Sequence, residues 1–148
     1  MDAYVVIGNP NTRKSSLVRS LTGCFNRSVR DIQPANGGAV ISLYARVGCL
    51  QDTRTSTEDF IAEAAKTRCH AVLLCLAPSA NPMHAERCPD APAYLAQFQA
   101  AGWRIKAIAV LGQNAGGVRS PVLRQFPQAT TAPINITAHG VRVHFGWE

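Results

Sequence analysis

Charge is scarce in this chain. Asp, Glu, Lys and Arg make up 16% of its 148 residues, against 47% apolar types. That balance excludes a disordered chain and predicts a packed core, which 148 residues are enough to enclose as one domain. Long apolar runs are also missing: none reaches the roughly 18 residues that announce a membrane-spanning helix. The first residues, Met1 to Tyr4, lack a basic leader and pass directly into an apolar run, so a cytoplasmic location is expected. Paired cysteines are lacking too. The five cysteines (Cys24, Cys49, Cys69, Cys75 and Cys88) are odd in number and form no C-x-x-C, which argues for reduced thiols used as small core residues. Acidic residues are few: nine against fifteen basic ones, twelve of them arginine. Arg13, Lys14, Arg19, Arg27 and Arg30 stand against Asp2 alone in the first thirty residues. A basic end of this kind suits a polyanion such as nucleic acid or phosphate, or serves only to keep the protein soluble.

What is present reads as alternating strands and helices. Ala3–Ile7 is a buried strand closed by Gly8-Asn9-Pro10. Leu17, Val18 and Leu21 have helical spacing after Lys14, and Gly23 is placed to stop that helix. Ser28–Ile32 and the alternating Ile41–Val47, joined by the turn-rich Pro34–Gly38, predict a hairpin whose second strand is half exposed. Thr55 with Glu58 forms a capping box for a helix carrying Phe60, Ile61, Ala64 and Ala65 through Arg68. His70–Ala77 is the most hydrophobic stretch and suits a central strand. Four prolines mark residues 78 to 92 as a loop, and Asp90 caps a helix with Tyr94, Leu95 and Phe98, ended by Gly102. Ile105–Leu111 is a further buried strand. Ser120-Pro121 is expected to open a short helix, with two last strands at Ile134–Thr137 and Val141–Phe145. This order predicts one three-layer α/β domain over residues 1–148 with a mostly parallel sheet.

The first loop carries the chemistry. In "VVIGNPNTRKSSLVRSLTG", Gly8, Lys14 and Ser15 satisfy G-x-x-x-x-G-K-[ST], with Arg13 in place of the second glycine. A strand, a turn and a helix start are the context this motif requires. Backbone amides then curl around a phosphate, Lys14 reaches the outer phosphates and the Ser15 hydroxyl ligates Mg²⁺. Arginine at position 13 either turns outward or crowds the anion, because glycine permits the close backbone approach.

The stretch resembles the nucleotide-binding loop of the P-loop small-GTPase superfamily (TRAFAC type), particularly the G domain of bacterial ferrous-iron transporters, whose pattern is GNPNxGK[ST]. The resemblance implies a P-loop NTPase-like fold and a site for GTP, GDP or another nucleotide with Mg²⁺. Its binding residues would be Gly8, Asn11, Arg13, Lys14, Ser15 and Ser16. It further implies that Thr137-Ala138-His139 forms the loop whose backbone contacts the base. Other signatures of the family are altered. Aligning Gly48 with D-x-x-G puts Ala45 at the magnesium-linked aspartate, with Asp52 the only acidic residue nearby. Gly112-Gln113-Asn114-Ala115 replaces N-K-x-D, so a methyl group faces the donors of guanine. No threonine lies between Ser28 and Ala39 to sense the metal, and a terminal strand stands where the family has a helix. Phosphoryl transfer needs the metal and a positioned water. The expected function is therefore degenerate: a nucleotide- or phosphate-binding domain with little or no GTP hydrolysis. The alternative is a nucleotide-free pseudo-GTPase that engages protein or nucleic acid through its basic surface.

Two other patterns lead nowhere. His84-Ala85-Glu86 imitates the H-x-E of zinc deaminases, yet no cysteine follows Cys88 to complete the metal site. Trp103 and Trp147 are expected to cover core surface, and His139 and His144 to be solvated.

Overall fold

The computed structural model describes every residue of the chain except Asn36. Its centre is β1 (Asp2–Gly8), flanked by β4 (Ala71–Leu76) and β5 (Arg104–Leu111), both parallel to it. Beyond β4 lie β3 (Ile41–Cys49) and the antiparallel edge strand β2 (Arg27–Ile32), and beyond β5 lies β6 (Leu123–Phe126). The order is β2-β3-β4-β1-β5-β6. Alternation along β1 decides the layers: Tyr4 and Val6 face one core, Ala3, Val5 and Ile7 the other. Helices α1 (Lys14–Thr22) and α4 (Ile134–Phe145) cover the first face, and α2 (Thr57–Ala65) and α3 (Ala91–Ala100) the second. The chain is thus a three-layer α/β structure with a mostly parallel sheet, and none of its described helices is long and apolar enough to cross a membrane.

The local reasons match the residues. Leu17, Val18 and Leu21 put one face of α1 into the core, and Gly23 ends it in the left-handed region at φ 72°, its N–H donating to the Arg19 carbonyl at 2.8 Å. Asp90 caps α3, accepting from the Ala93 N–H at 3.1 Å. On the second face Phe98 and Trp103 stack with centroids 4.7 Å apart, and Phe60 meets both rings edge-on. All six residues of β4 are buried, as expected of a central parallel strand. The turn between β2 and β3 includes Asn36, outside the described residues; next to it Gly37 has φ 80° and donates to the Pro34 carbonyl.

Several expectations are corrected. The last two strands are one helix: Ile134, Thr137, Ala138, Val141 and Phe145 recur at helical spacing and turn to the sheet, whereas the Val141-x-Val143-x-Phe145 alternation imitates a strand. Gly140, which weakens a helix pattern, is there because a Cβ would lie 3.0 Å from the Phe126 ring. No helix opens at Ser120-Pro121; the segment leads into β6, which extends the sheet beyond β5. The cap of α2 is Ser56, accepting from the Asp59 N–H, not Thr55, whose carbonyl accepts from the buried Tyr94 hydroxyl at 2.6 Å; the helix ends at Ala65, short of Arg68. Strand β3 is mostly buried, since helices pack on both of its faces.

Candidate functional site

Neighbouring strands β1 and β4 lead to helices on opposite faces, α1 on one and α3 on the other. Such a reversal opens a crevice beyond the carboxyl ends of the strands, the usual place for ligands in open α/β sheets. A cavity of about 220 Å³ occupies it, walled by Asn9 and Pro10 after β1, Gln51 and Asp52 after β3, and Ala77 to Pro82 after β4.

Its first wall is the loop that the sequence singled out. Gly8 closes β1 where an added Cβ would lie 2.3 Å from Thr12 Oγ1, which itself donates to the Asn9 carbonyl at 2.7 Å. The glycine is therefore required by the loop's own packing. Asn11 and Arg13 take left-handed backbone at φ 66° and 71°. For Arg13 this is the conformation that glycine adopts without penalty, and a side chain there costs about 1–2 kcal/mol. Arg13 is the N-cap of α1, offers it no side-chain cap, and no acidic residue occupies the first turn. The Lys14 ammonium folds back onto the loop and donates to the carbonyls of Gly8 at 2.7 Å and Asn9 at 2.9 Å. Ser15 and Ser16 are exposed in the first turn of α1.

Arg13 turns outward. Its Nη1 donates at 2.7 Å to the carbonyl of Ala132, in the segment between β6 and α4. A second bridge runs the same way: Asn114 Nδ2 donates to Asn9 Oδ1 at 3.0 Å, while Asn114 Oδ1 accepts from the Gly116 N–H. Both tie the first loop to the β5–β6 side of the molecule and leave its β4 side facing the cavity.

The opposite wall is built around Gln51, 2% exposed. Its Oε1 accepts from the Ala77 N–H at 2.9 Å and the Cys49 thiol at 3.0 Å, and its Nε2 donates to the carbonyls of Ala77 and Pro89. Asn81 Nδ2 closes the ring by donating to the Gln51 carbonyl. One side chain thus pins the end of β3 to the end of β4 and to the proline-rich loop. Cys49 and Cys75 are register partners beneath it. Burial raises both thiols, Cys75 to about 12, with the Lys14 ammonium pulling each the other way. They are protonated core groups rather than nucleophiles.

The residues expected to bind a ligand therefore divide. Gly8, Asn11, Arg13, Lys14, Ser15 and Ser16 fall together at the junction of β1 and α1. Thr137 and Ala138 do not join them as a base-contacting loop: both lie in α4, buried against the sheet. The loop after β6 is the earlier stretch around Ala132; Ile134–Thr137, expected as the strand before the base loop, is the start of α4. Asp52 is exposed on the cavity wall, and Ala45 lies fully buried within β3, which β4 separates from β1. Asn114 and Gln51 were not anticipated as structural ties of this edge. His144 is not simply solvated either: its Nε2 lies 3.0 Å from the Ile108 carbonyl and 2.8 Å from that of Val122. His139 is exposed and pairs with Glu148 at 2.8 Å. Trp103 and Trp147 are buried, as expected of core cover.

Of the early basic residues, Arg19, Arg27 and Arg30 are exposed; Arg27 lies 3.5 Å from Glu63 and Arg19 stands over the Phe25 ring. Comparison with protein-family models, with curated proteins and with solved structures finds no match.

Proposed function

We propose that this chain is a degenerate P-loop domain that binds a phosphate group, free or on a nucleotide, through Gly8 to Ser16 and hydrolyses GTP little or not at all. The observation that carries the reading is Lys14. Its ammonium rests on the Gly8 and Asn9 carbonyls, at the start of a helix without an acidic first turn and beside the switch-point cavity. A cation held only by carbonyls is ready to exchange them for a stronger acceptor, and the amides of the first helical turn add positive potential.

Among the described residues no cluster of three or more His, Cys, Asp or Glu side chains forms a metal site. The exposed Ser15 hydroxyl and the exposed Asp52 carboxylate stand on separate segments, and Mg²⁺ takes so sparse a protein set only when phosphate oxygens and waters complete its shell. When bound it would neutralise phosphate charge. The chain's own residues do the rest: Lys14 pairs with an outer phosphate and the loop amides orient it. With Ala45 buried at the aligned position, the alignment supplies no carboxylate to support fast turnover.

A second reading, a nucleotide-free pseudo-GTPase acting as an interaction module, is favoured by one observation: Arg13, at φ 71°, puts a side chain where the motif uses glycine for close backbone approach to the anion. Calorimetric titration with GTP, GDP, ATP, ADP and inorganic pyrophosphate, with and without Mg²⁺, separates the two. The first reading predicts saturable binding of at least one of these, lost in Lys14→Ala. The second predicts no heat with any of them and salt-sensitive binding to RNA or DNA.

A further inference from the structure

We infer that Arg13 sets the ligand class of the first loop: its clasp onto Ala132 admits a bare phosphate chain and keeps a nucleoside out. This rests on the phosphate-binding reading above and narrows it. A ligand whose phosphate meets Lys14 can extend along the carboxyl edge of the sheet in two directions. Toward β4 and β3 it enters the cavity of about 220 Å³, whose wall includes the Asp52 carboxylate, Gln51 and Asn81 and no aromatic side chain. That lining suits further phosphate groups with their counter-cation and gives a base no ring to stack on.

Toward β5 and β6 the surface offers what a base would want. A cavity of about 210 Å³ there includes Phe126, Pro127, Ile136 and Ala132 in its lining. Yet Ala132 is also the residue that receives the Arg13 guanidinium at 2.7 Å, and Asn9 is bridged to Asn114 on the same side. A ligand spanning the first loop and that cavity has to break the Arg13 bond. The clasp is a hydrogen bond from a charged donor in a partly buried setting, stronger than a neutral one. Arg13 sits in a left-handed conformation that glycine would adopt freely, so its bond to Ala132 is made against the local backbone preference.

The test is the ratio of affinities for GDP and ADP against inorganic pyrophosphate and tripolyphosphate, measured by calorimetry on the full chain with Mg²⁺ for wild type, Arg13→Gly and Arg13→Lys. Thermal melts confirm that each variant is folded. Wild type is expected to bind pyrophosphate and tripolyphosphate, with the nucleoside diphosphates weaker by about tenfold or more, the equivalent of breaking one charged hydrogen bond. Arg13→Gly is expected to close that gap. Arg13→Lys, whose ammonium ends one bond short of the Nη1 position, is expected to close it in part. Equal wild-type affinity for GDP and pyrophosphate, or a ratio unmoved in both variants, overturns the assignment of Arg13 while leaving phosphate binding intact. Absence of heat with every phosphate compound, in wild type and variants alike, overturns the phosphate reading and this inference with it.

Discussion

Replacing Gln51 by alanine removes a side chain that is 2% exposed and satisfies groups from three segments. The Ala77 N–H loses its acceptor at 2.9 Å, and the carbonyls of Ala77 and Pro89 lose a donor at 2.8 and 3.2 Å. A buried polar group left without a partner costs about 1–3 kcal/mol. Ala77 and Pro89 are only partly covered, so water reaches some of the vacated groups and the lower figure applies to each. Three groups at about 1 kcal/mol give a loss of about 3 kcal/mol, a large share of a domain's net stability. With a urea slope of about 2 kcal/mol per molar, the unfolding midpoint falls by about 1.5 M. Urea titration followed by circular dichroism measures it, and amide exchange reports whether Ala77 N–H loses protection. A loss under about 0.5 kcal/mol, the level of an ordinary surface substitution, would refute the view that Gln51 holds the ends of β3 and β4 together.

Arg13 gives a paired prediction. Arg13→Gly removes a charged hydrogen bond but also relieves the left-handed backbone cost, so its stability stays within about 1 kcal/mol of wild type; Arg13→Ala loses the bond and keeps the strain, and falls about 1–2 kcal/mol below the glycine variant. Equal stability of the two variants in urea would contradict the φ of 71°. A third expectation concerns alkaline pH. The Cys75 thiol lies at about 12 in the fold against an ordinary 9.0, so the folded state disfavours the thiolate. Its contribution is complete below pH 9 and is lost as pH rises from 9 toward 12, at up to about 1.4 kcal/mol per pH unit. Urea midpoints at pH 8 and pH 10 measure this, and a Cys75→Ala variant should show a shallower decline; parallel declines would exclude the thiol as the cause.

The sheet was readable in the sequence where burial dominates. The apolar Val5, Val6 and Ile7 of β1 and the unbroken apolar run of β4 have no polar face to confuse them, and Asp90 and Gly23 mark helix ends by local chemistry. Beyond Leu111 the signals were ambiguous. Gly140 and the alternating valines of α4 suit a strand, and only the approach of Phe126 explains the glycine. Strand β6 has few apolar residues and exists because β5 offers it an edge. The first loop stands out by its motif, and Gly8, Lys14 and Ser15 lie at the junction of β1 and α1. Two ties across the site were not legible. Asn114 and Ala132 lie far from the loop in sequence, and no spacing rule links Arg13 to a backbone carbonyl 119 residues away.

The central claim is that the amides from Gly8 to Ser16, with Lys14, form a phosphate site. Amide NMR during titration with pyrophosphate and Mg²⁺ tests it most directly, in wild type and in Lys14→Ala. The account predicts saturating shifts centred on Lys14, Ser15 and Ser16 that vanish in the alanine variant. Unmoved amides in that segment, or shifts centred elsewhere and indifferent to Lys14, would contradict it.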